Sequence, residues 1–403
     1  MSAVYLYDDA RARDFEPFAL TRPVGELRAG ALLVRERWTR ALGAPAAGHL
    51  TSPVLAGFSE HGSAPVGAAA TIAADSWIVN ARFAPALAKA SAPAATVLSA
   101  DGHVAAVRIR DTLPSDTFAD GTVTLEELAD DSSAPVAVHG WWIEEVWDYV
   151  RLLVPMLEAD IPALGIGIAA GLPRGAIGDG THAVFIERGA VVEPHVYFDT
   201  SAGPILLRAT SHVQAFTRLV GPLYVGEHSI VTTDRIAASS IGDTCKVHGE
   251  VNNSIFIGHA NKGHDGFVGH SMLGRWVNLG AGTITSNLKN TYGTVQLWTP
   301  SGVRDTGMQF LGTMFGDHAK TGIGMCLTTG CVLGAGANVF GSEMPPKVVA
   351  PFSWGEGDSF QAFHVDKFLE VAERMMARRQ VELNDGMRAQ LTRANAERWA
   401  VER

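Results

Sequence analysis

One periodicity constrains this chain more than any other feature. From about Leu164 to Phe340, aliphatic residues are followed by glycine again and again, as at Ile166-Gly167, Ile177-Gly178, Val225-Gly226, Ile241-Gly242, Ile257-Gly258, Ile323-Gly324 and Leu333-Gly334. In the same stretch apolar residues recur every six positions: Ile186, Val192 and Phe198; Leu273 and Leu279; Leu327, Leu333 and Val339. A six-residue repeat with one inward aliphatic and a small residue behind it describes a short strand and a turn, and three such units close a triangular coil. Glycine supplies the positive φ that tight corners need, and it makes up 43 of the 403 residues. The expected architecture is a parallel β-helix of several coils, since fewer cannot bury a continuous core. An irregular glycine-rich sandwich would not hold this register in several separate stretches.

Two segments leave the register. Residues 287–308 lack the aliphatic-glycine texture and are expected to loop out of a corner with a short hairpin. Residues 360–403 show no β pattern. Phe368, Val371, Met375 and Met376, then Val381 and Leu383, predict a broken amphipathic helix, with Arg374, Arg378 and Arg379 on a solvated face. Ahead of the repeat, residues 1–155 read as α/β. A strand is expected at Val4–Tyr7, ending in Asp8-Asp9, then a helix at Ala31–Ala41, a strand at Trp77–Asn80 and a helix at Ala81–Ala90. Asp101-Gly102 between two apolar runs is a strong hairpin signal. Residues 141–157 are expected to be helical, with Trp142, Val146, Val150 and Leu153 on one face. The predicted organisation is an α/β domain over 1–158, a β-helix over 159–350 and a C-terminal helical segment over 351–403.

Lys plus Arg number 32 against 42 Asp plus Glu, a formal charge of −10. That balance argues against a nucleic-acid partner, which would call for a basic face. Three cysteines, Cys245, Cys326 and Cys331, form no disulfide framework or metal knuckle, which suits a reducing cytoplasm. The first fifteen residues lack an apolar signal region, and the weakly polar run 161–172 is too short to span a bilayer. The expected location is cytoplasmic, with no membrane partner.

The densest chemistry lies between His248 and Lys289. The run Gly263-His264-Asp265-Gly266-Phe267-Val268-Gly269, followed by Val277-Asn278-Leu279-Gly280-Ala281-Gly282-Thr283 and Ser286-Asn287, resembles the acetyltransferase domain of the bifunctional glucosamine-1-phosphate acetyltransferase / N-acetylglucosamine-1-phosphate uridyltransferases, the GlmU-like family. The N-terminal run Phe18-Ala19-Leu20-Thr21-Arg22-Pro23-Val24-Gly25-Glu26-Leu27-Arg28, with Arg35-Glu36-Arg37-Trp38, resembles a divergent branch of that two-domain family described as sugar nucleotidyltransferases. The resemblance implies a left-handed β-helix and a homotrimer with active sites between neighbouring copies. It makes His264 the catalytic base, an imidazole suited to take a proton from a sugar amine near neutral pH. It puts Asn278 and Phe267 against the sugar, with Arg235 near its phosphate. Ala281, Asn287, Leu288 and Lys289 are placed beside acetyl-CoA.

The chain departs from the family pattern. Phe267 stands for a sugar-contacting tyrosine, and Leu288 for the tyrosine after Asn287. The family's phosphate-binding lysine falls at Asn252 or Asn253, for which Lys262, Arg275 or Lys289 is the expected replacement. A competing reading takes His248, His259, His264 and His270 as zinc ligands between subunits, since neutral imidazoles suit zinc. In the N-terminal domain the glycine-rich phosphate loop is missing, replaced by Asp8-Asp9-Ala10-Arg11-Ala12-Arg13. Where the family holds Mg²⁺ on an aspartate, this chain has Asn80, a poor metal ligand. The expected nucleotide-binding residues are Asp8, Asp9, Arg22, Arg28 and Asn80, with Asp9 as the metal ligand if the domain is active.

The resemblance implies an acetyl-CoA-dependent N-acetyltransferase acting on an amino-sugar phosphate or nucleotide sugar, feeding cell-envelope precursors. Two alternatives stand beside it. One is sugar-1-phosphate nucleotidyl transfer, alone or in addition. The other is a non-catalytic trimer that binds nucleotide sugars.

Overall fold

The computed structural model describes residues 3–67, 70–87, 95–129 and 134–400. They form two compact units. One contains residues up to Val146 together with Leu383–Glu397, and the other contains Trp147–Glu382 and the chain end.

The second unit is a parallel β-helix. Its three faces are sheets of eight, nine and ten strands. The first face runs from Ile177–Gly180 to Cys326–Leu327, the second from Val184–Ile186 to Val348–Val349, and the third from Val191–Val192 to Ser359–Ala362. The six-residue ladders of the sequence run around a coil, one residue per face. The columns that stack through the core join residues one coil apart: Phe198 on Leu219, Leu219 on Ile236, Ile236 on Val251 and Val251 on Val268. All five side chains are fully buried. The insertion expected over 287–308 leaves the corner between first and second faces, and it carries an antiparallel hairpin, Gln296–Thr299 with Gly302–Asp305.

In the first unit a six-stranded sheet has the order Val136–Ala137, Val97–Ala100, His103–Arg108, Trp77–Asn80, Val4–Tyr7, Ala46–Leu50. Val4–Tyr7 runs parallel to both of its neighbours, so Asp8 and Asn80 fall at the same carboxyl edge. The Asp101-Gly102 hairpin forms as expected, with φ of 52° and 83° at the two turn residues.

Four expectations are corrected. The first helix covers Val34–Leu42 and not Ala31–Ala41, because Leu32–Leu33 pairs with Arg28–Ala29. Phe83–Pro85 is a strand and not part of a helix over 81–90; it pairs with Gly140–Trp142, and Pro85 has no N–H for a helical ladder. Residues 88–90 lie outside the described residues. The expected helix over 141–157 instead starts as that partner strand and resolves into Asp148–Arg151 and Leu153–Leu164. Trp142 leaves the pattern because its Nε1 donates to Ala100 O at 3.1 Å, across from the first hairpin. Finally, the tail does contain β structure: Ser353–Glu356 and Ser359–Ala362 form a hairpin on the last coil.

The tail beyond it is shared between the units. Helix Val365–Ala377 buries Phe368 against Phe352 and His318 on the β-helix. Helix Asp385–Ala396, capped by Asn384, belongs to the first unit, where Gln390 donates to Thr21 O at 3.2 Å.

Candidate functional site

The corner between the third and first faces carries the residues the motif singles out. Asn261–Lys262 ends on the third face, His264 and Asp265 turn the corner, and Gly266–Gly269 begins the first face. His264 is exposed, and its imidazole makes no hydrogen bond or ion pair among the described residues. Its backbone, by contrast, is fixed. Lys262 is buried, and its ammonium donates to His248 O at 2.5 Å, His264 O at 3.1 Å and Gly266 O at 3.1 Å. An ammonium has three protons, and all three are used. Lys262 is therefore a corner clamp and not the expected phosphate ligand. Burial pushes its pKa down to about 8. Two glycines make the corner possible. A Cβ on Gly249 would sit 2.6 Å from Lys262 Nζ, and one on Gly266 would sit 2.2 Å from Thr283 O.

The next coil stacks directly on this corner. Gly282 N–H donates to Asp265 O at 2.9 Å, and Gly324 N–H donates to Ala281 O at 2.7 Å. The Ala281 N–H itself has no acceptor among the described residues. On the outer side of the first face, Glu250 is in register with Phe267, and Phe267 with Ile284. Arg235, one coil earlier, pairs with Glu250 at 3.5 Å, both partly exposed. On the third face Asn278 accepts from Asn261 Nδ2 at 2.7 Å. So His264, Phe267, Arg235 and the Ala281 backbone share one edge of the first face, with Asn278 on the approach to it.

The Phe267 ring reaches toward Asn287, since a Cβ on Gly269 would lie 2.5 Å from Phe267 Cζ and 2.6 Å from Asn287 Nδ2, but Asn287, Leu288 and Lys289 do not join His264 and the Ala281 backbone within one chain. They lie at the opposite end of the first-face strand, roughly 13 Å away at about 3.3 Å per residue. Asn287 Nδ2 meets His270 Nδ1 at 2.9 Å, Leu288 bridges to Phe310, and Lys289 donates to Thr294 O at 3.0 Å. His270 accepts, so its Nδ1 is unprotonated, and burial pushes its pKa down to about 4. Arg275 is buried against Gly258 and is not an exposed substitute for the missing lysine.

The zinc reading finds no support. Nδ1 of His248 meets Thr232 and Thr233 at 2.9 Å, and its Nε2 meets Asp265 Oδ1 at 2.9 Å. His259 packs at a tilt against Trp276, ring centroids 4.3 Å apart, and His270 holds Asn287. Among the described residues no group of three His, Cys, Asp or Glu could hold a metal ion.

The first unit has a cleft of about 690 Å³ at the carboxyl ends of Val4–Tyr7 and Trp77–Asn80, with Tyr7, Asp9, Asn80, Arg82, Trp142 and Glu144 among its walls. Of the five expected nucleotide-binding residues, only Asp9 and Asn80 line it. Arg22 is buried on Glu60, with hydrogen bonds of 2.8 and 3.1 Å, and lies over Phe58. Arg28 is buried and donates to Ala31 O at 2.5 Å. Asp8 is buried too, accepting from Val24 N–H and Thr51 Oγ1. Its pKa is raised by burial. These three residues are buried and committed to partners within the unit. Asp9 caps the short Ala10–Arg13 helix and is held by Arg82, so it is no open metal ligand. Its pKa is lowered because the Arg82 pairing overcomes burial.

Residues 4–167 match the sugar nucleotidyl transferase family. A bifunctional sugar-1-phosphate nucleotidylyltransferase/acetyltransferase of Sulfurisphaera tokodaii is 30% identical over 112 residues, which is 28% of this chain and 27% of that protein. The bifunctional protein GlmU of Bartonella quintana is 25% identical over 203 residues, covering 48% of this chain and 40% of its own. Over part of its length the chain is similar to GlmU-type bifunctional proteins. The matches span less than half the length of these curated relatives. The D94A mutant of AntD, a solved N-acyltransferase from Bacillus cereus in complex with dTDP and coenzyme A, aligns over 50% of this chain and 91% of its own, with 12% identity and a TM-score of 0.21. No described helix is long and apolar enough to cross a membrane.

Three functional candidates escape the sequence reading, Glu250, Asp265 and Arg82, and His270, taken there as a zinc ligand, holds Asn287 instead. Glu250, Asp265 and the role of His270 become readable only once the local coil length is known. Each lies 17 residues from its partner, one coil away: Glu250 below Phe267, His248 below Asp265 and His270 below Asn287. Arg82 carries no such spacing.

Proposed function

We propose that the β-helix transfers an acetyl group from acetyl-CoA to the amine of an amino-sugar phosphate or nucleotide sugar, with His264 as general base. The observation that carries this reading is the contrast at the corner. The His264 imidazole is exposed and unpartnered, while the backbone beneath it is pinned by Lys262 to three carbonyls. A base held this way can meet an incoming ammonium without first breaking a bond of its own. The imidazole takes the amine proton, and the amine nitrogen attacks the thioester carbon. The C–S bond breaks, the proton held by the imidazole passes to the departing thiolate, and the nitrogen gives up its second proton to solvent, leaving amide and free thiol. The free Ala281 N–H, one coil above, is a donor available to the cofactor side of the same edge.

Glu250 lies one coil and Arg235 two coils from the base, and Arg235, held by Glu250, suits a phosphate-bearing substrate. Phe267 offers an aromatic face but no hydroxyl, so the acceptor is bound with one hydrogen bond fewer than the family pattern supplies. Asn287 and Lys289, far from His264 in one chain, reach the cofactor if a neighbouring copy supplies the facing wall. That arrangement requires a homotrimer with three equivalent sites. The exposed side chains of Ile284 and Ile323 on the same edge are consistent with such a neighbour. The product class fits cell-envelope precursors.

Release of free thiol from acetyl-CoA in the presence of glucosamine-1-phosphate or an amino-sugar nucleotide tests the reading. His264→Ala is expected to lower turnover by roughly 10²–10⁴-fold, the range for loss of a general base. Coenzyme A binding and thermal stability should hold. Near wild-type turnover in that variant sinks the assignment, and a monomer by light scattering at micromolar concentration sinks the trimer.

A further inference from the structure

An open parallel sheet holds its ligand at the carboxyl ends of its strands, and that is where the cleft of the first unit lies. A nucleotidyl transferase would seat a divalent cation there. The residues present do not fit one. Arg82 sits between two carboxylates. Its Nε reaches Asp9 Oδ1 at 2.9 Å and Oδ2 at 3.0 Å, and its Nη2 reaches Oδ2 at 2.9 Å. Its Nη1 reaches Glu144 Oε2 at 3.0 Å. The remaining capacity of Asp9 is also taken, by Ala12 N–H on Oδ1 at 2.9 Å and Asn80 Nδ2 on Oδ2 at 3.1 Å.

Asn80 is committed at both ends. Its amide oxygen accepts from Arg82 N–H at 2.9 Å while its nitrogen faces Asp9. Turning that oxygen into the cleft would break both bonds. Glu144 also takes Arg11 Nη1 at 2.8 Å. A carboxylate offers about four lone-pair sites, and Asp9 already receives five contacts. Mg²⁺ needs free, hard oxygen donors in near-octahedral geometry.

We infer that Arg82 is a built-in cation, occupying the seat a divalent metal would need, and that this cleft does not support metal-dependent nucleotidyl transfer. The lining charges agree. Two cations, Arg11 and Arg82, line the cleft beside three carboxylates, Asp9, Glu126 and Glu144. A nucleoside triphosphate arriving without its metal would meet no net positive charge, and one arriving with it would find the seat filled. The bidentate ion pair is partly shielded from water, where such a fork is strong. This inference concerns the first unit alone and is independent of acyl transfer on the β-helix.

The test is Mn²⁺ titration of the full chain by calorimetry and electron paramagnetic resonance. It is run beside pyrophosphate release from UTP or dTTP with a sugar 1-phosphate and Mg²⁺. The wild type is expected to show neither Mn²⁺ binding in the cleft nor pyrophosphate release. Combining Arg82→Ala with Asn80→Asp frees Asp9 and adds a carboxylate, and Mn²⁺ affinity should rise at least tenfold. Wild-type Mn²⁺ binding that disappears in Asp9→Asn, or wild-type pyrophosphate release, overturns the inference. A folded double variant that gains no Mn²⁺ affinity overturns the assignment of the seat to Arg82. If the double variant does not fold, the wild-type titration and turnover decide alone.

Discussion

Lys262→Met separates the two roles that a lysine at this position can have. The substitution keeps a long apolar stem and removes only the ammonium. In the structure that ammonium joins three carbonyls, those of His248, His264 and Gly266, from a side chain that is 2% exposed. A hydrogen bond to a charged group is worth about 1.5–3 kcal/mol, so three sum to roughly 4–9 kcal/mol before costs. Two costs reduce this. Burying the ammonium is unfavourable, as its pKa of about 8 shows. The corner also lies at the surface, with His264 and Asp265 exposed, so water can reach part of what Lys262 leaves behind. The expected net loss is about 2–4 kcal/mol, below the sum because buried charges repay only part of their desolvation. Urea unfolding should show it as a lowered midpoint, and amide exchange around residues 263–266 should quicken. Turnover should fall with the loosened base, while KM for the sugar changes little. A phosphate-binding lysine predicts the reverse, with KM raised and stability untouched. An unchanged midpoint with unchanged exchange would refute the clamp.

Two other outcomes follow from buried polar groups. Ser239, Ser254 and Ser271 form a hydroxyl ladder inside the corner between first and second faces, each Oγ accepting the N–H one coil on, and Ser271 accepts from Thr313 N–H at 2.9 Å while donating to Gly269 O at 2.9 Å. Ser271→Ala leaves that N–H and that carbonyl buried and unmatched, which should cost about 2 kcal/mol in denaturant unfolding; an unaltered midpoint would mean the ladder contributes nothing. In the first unit, His49 Nε2 at 3.0 Å and Arg35 Nε at 2.7 Å hold the Glu26 carboxyl down to about 2 against burial. Its folded pKa lies below the unfolded 4.5, so its contribution is complete above pH 4.5 and is lost as pH falls from there through about 2, roughly 3 kcal/mol in all. Glu26→Gln should flatten the acid limb of stability in that window, and an identical limb in both proteins would show that Glu26 does not set it.

The β-helix was legible because its signal is local. One apolar residue and one small residue every six positions define the coil without reference to any distant partner. The excursion at residues 287–308 was legible for the same reason, as a gap in that signal. What stacks on what was not legible, because coil length varies. Tyr197 stands 21 residues from Arg218, Arg218 stands 17 from Arg235, and Glu250 stands 17 from Phe267. One inserted residue moves every vertical partner, so Glu250 and Asp265 could not be assigned by counting. The N-terminal arginines failed for a different reason. Arg22 and Arg28 sit in a proline- and glycine-rich run that suits phosphate binding on paper. Arg22 finds Glu60, 38 residues away, and that pairing decides whether it meets a ligand or a core. The residues 141–157 were misread because tryptophan and valine at helical spacing also occur where a strand runs into a helix.

The same stacking explains why one histidine among four stays available. His248, His259 and His270 each have a neighbour one coil away that occupies the ring: Asp265, Trp276 and Asn287. His264 turns the corner at the position where the coil above presents Ala281 and Gly282, residues with no side chain long enough to reach an imidazole. Gly282 instead bonds the Asp265 carbonyl, which fixes the corner and leaves the ring free. A larger polar residue at 281 would cap His264 as Asn287 caps His270. The small residues of the Gly-Ala-Gly run therefore do two things at once. They let the coil turn, and they leave unoccupied the imidazole proposed as the base.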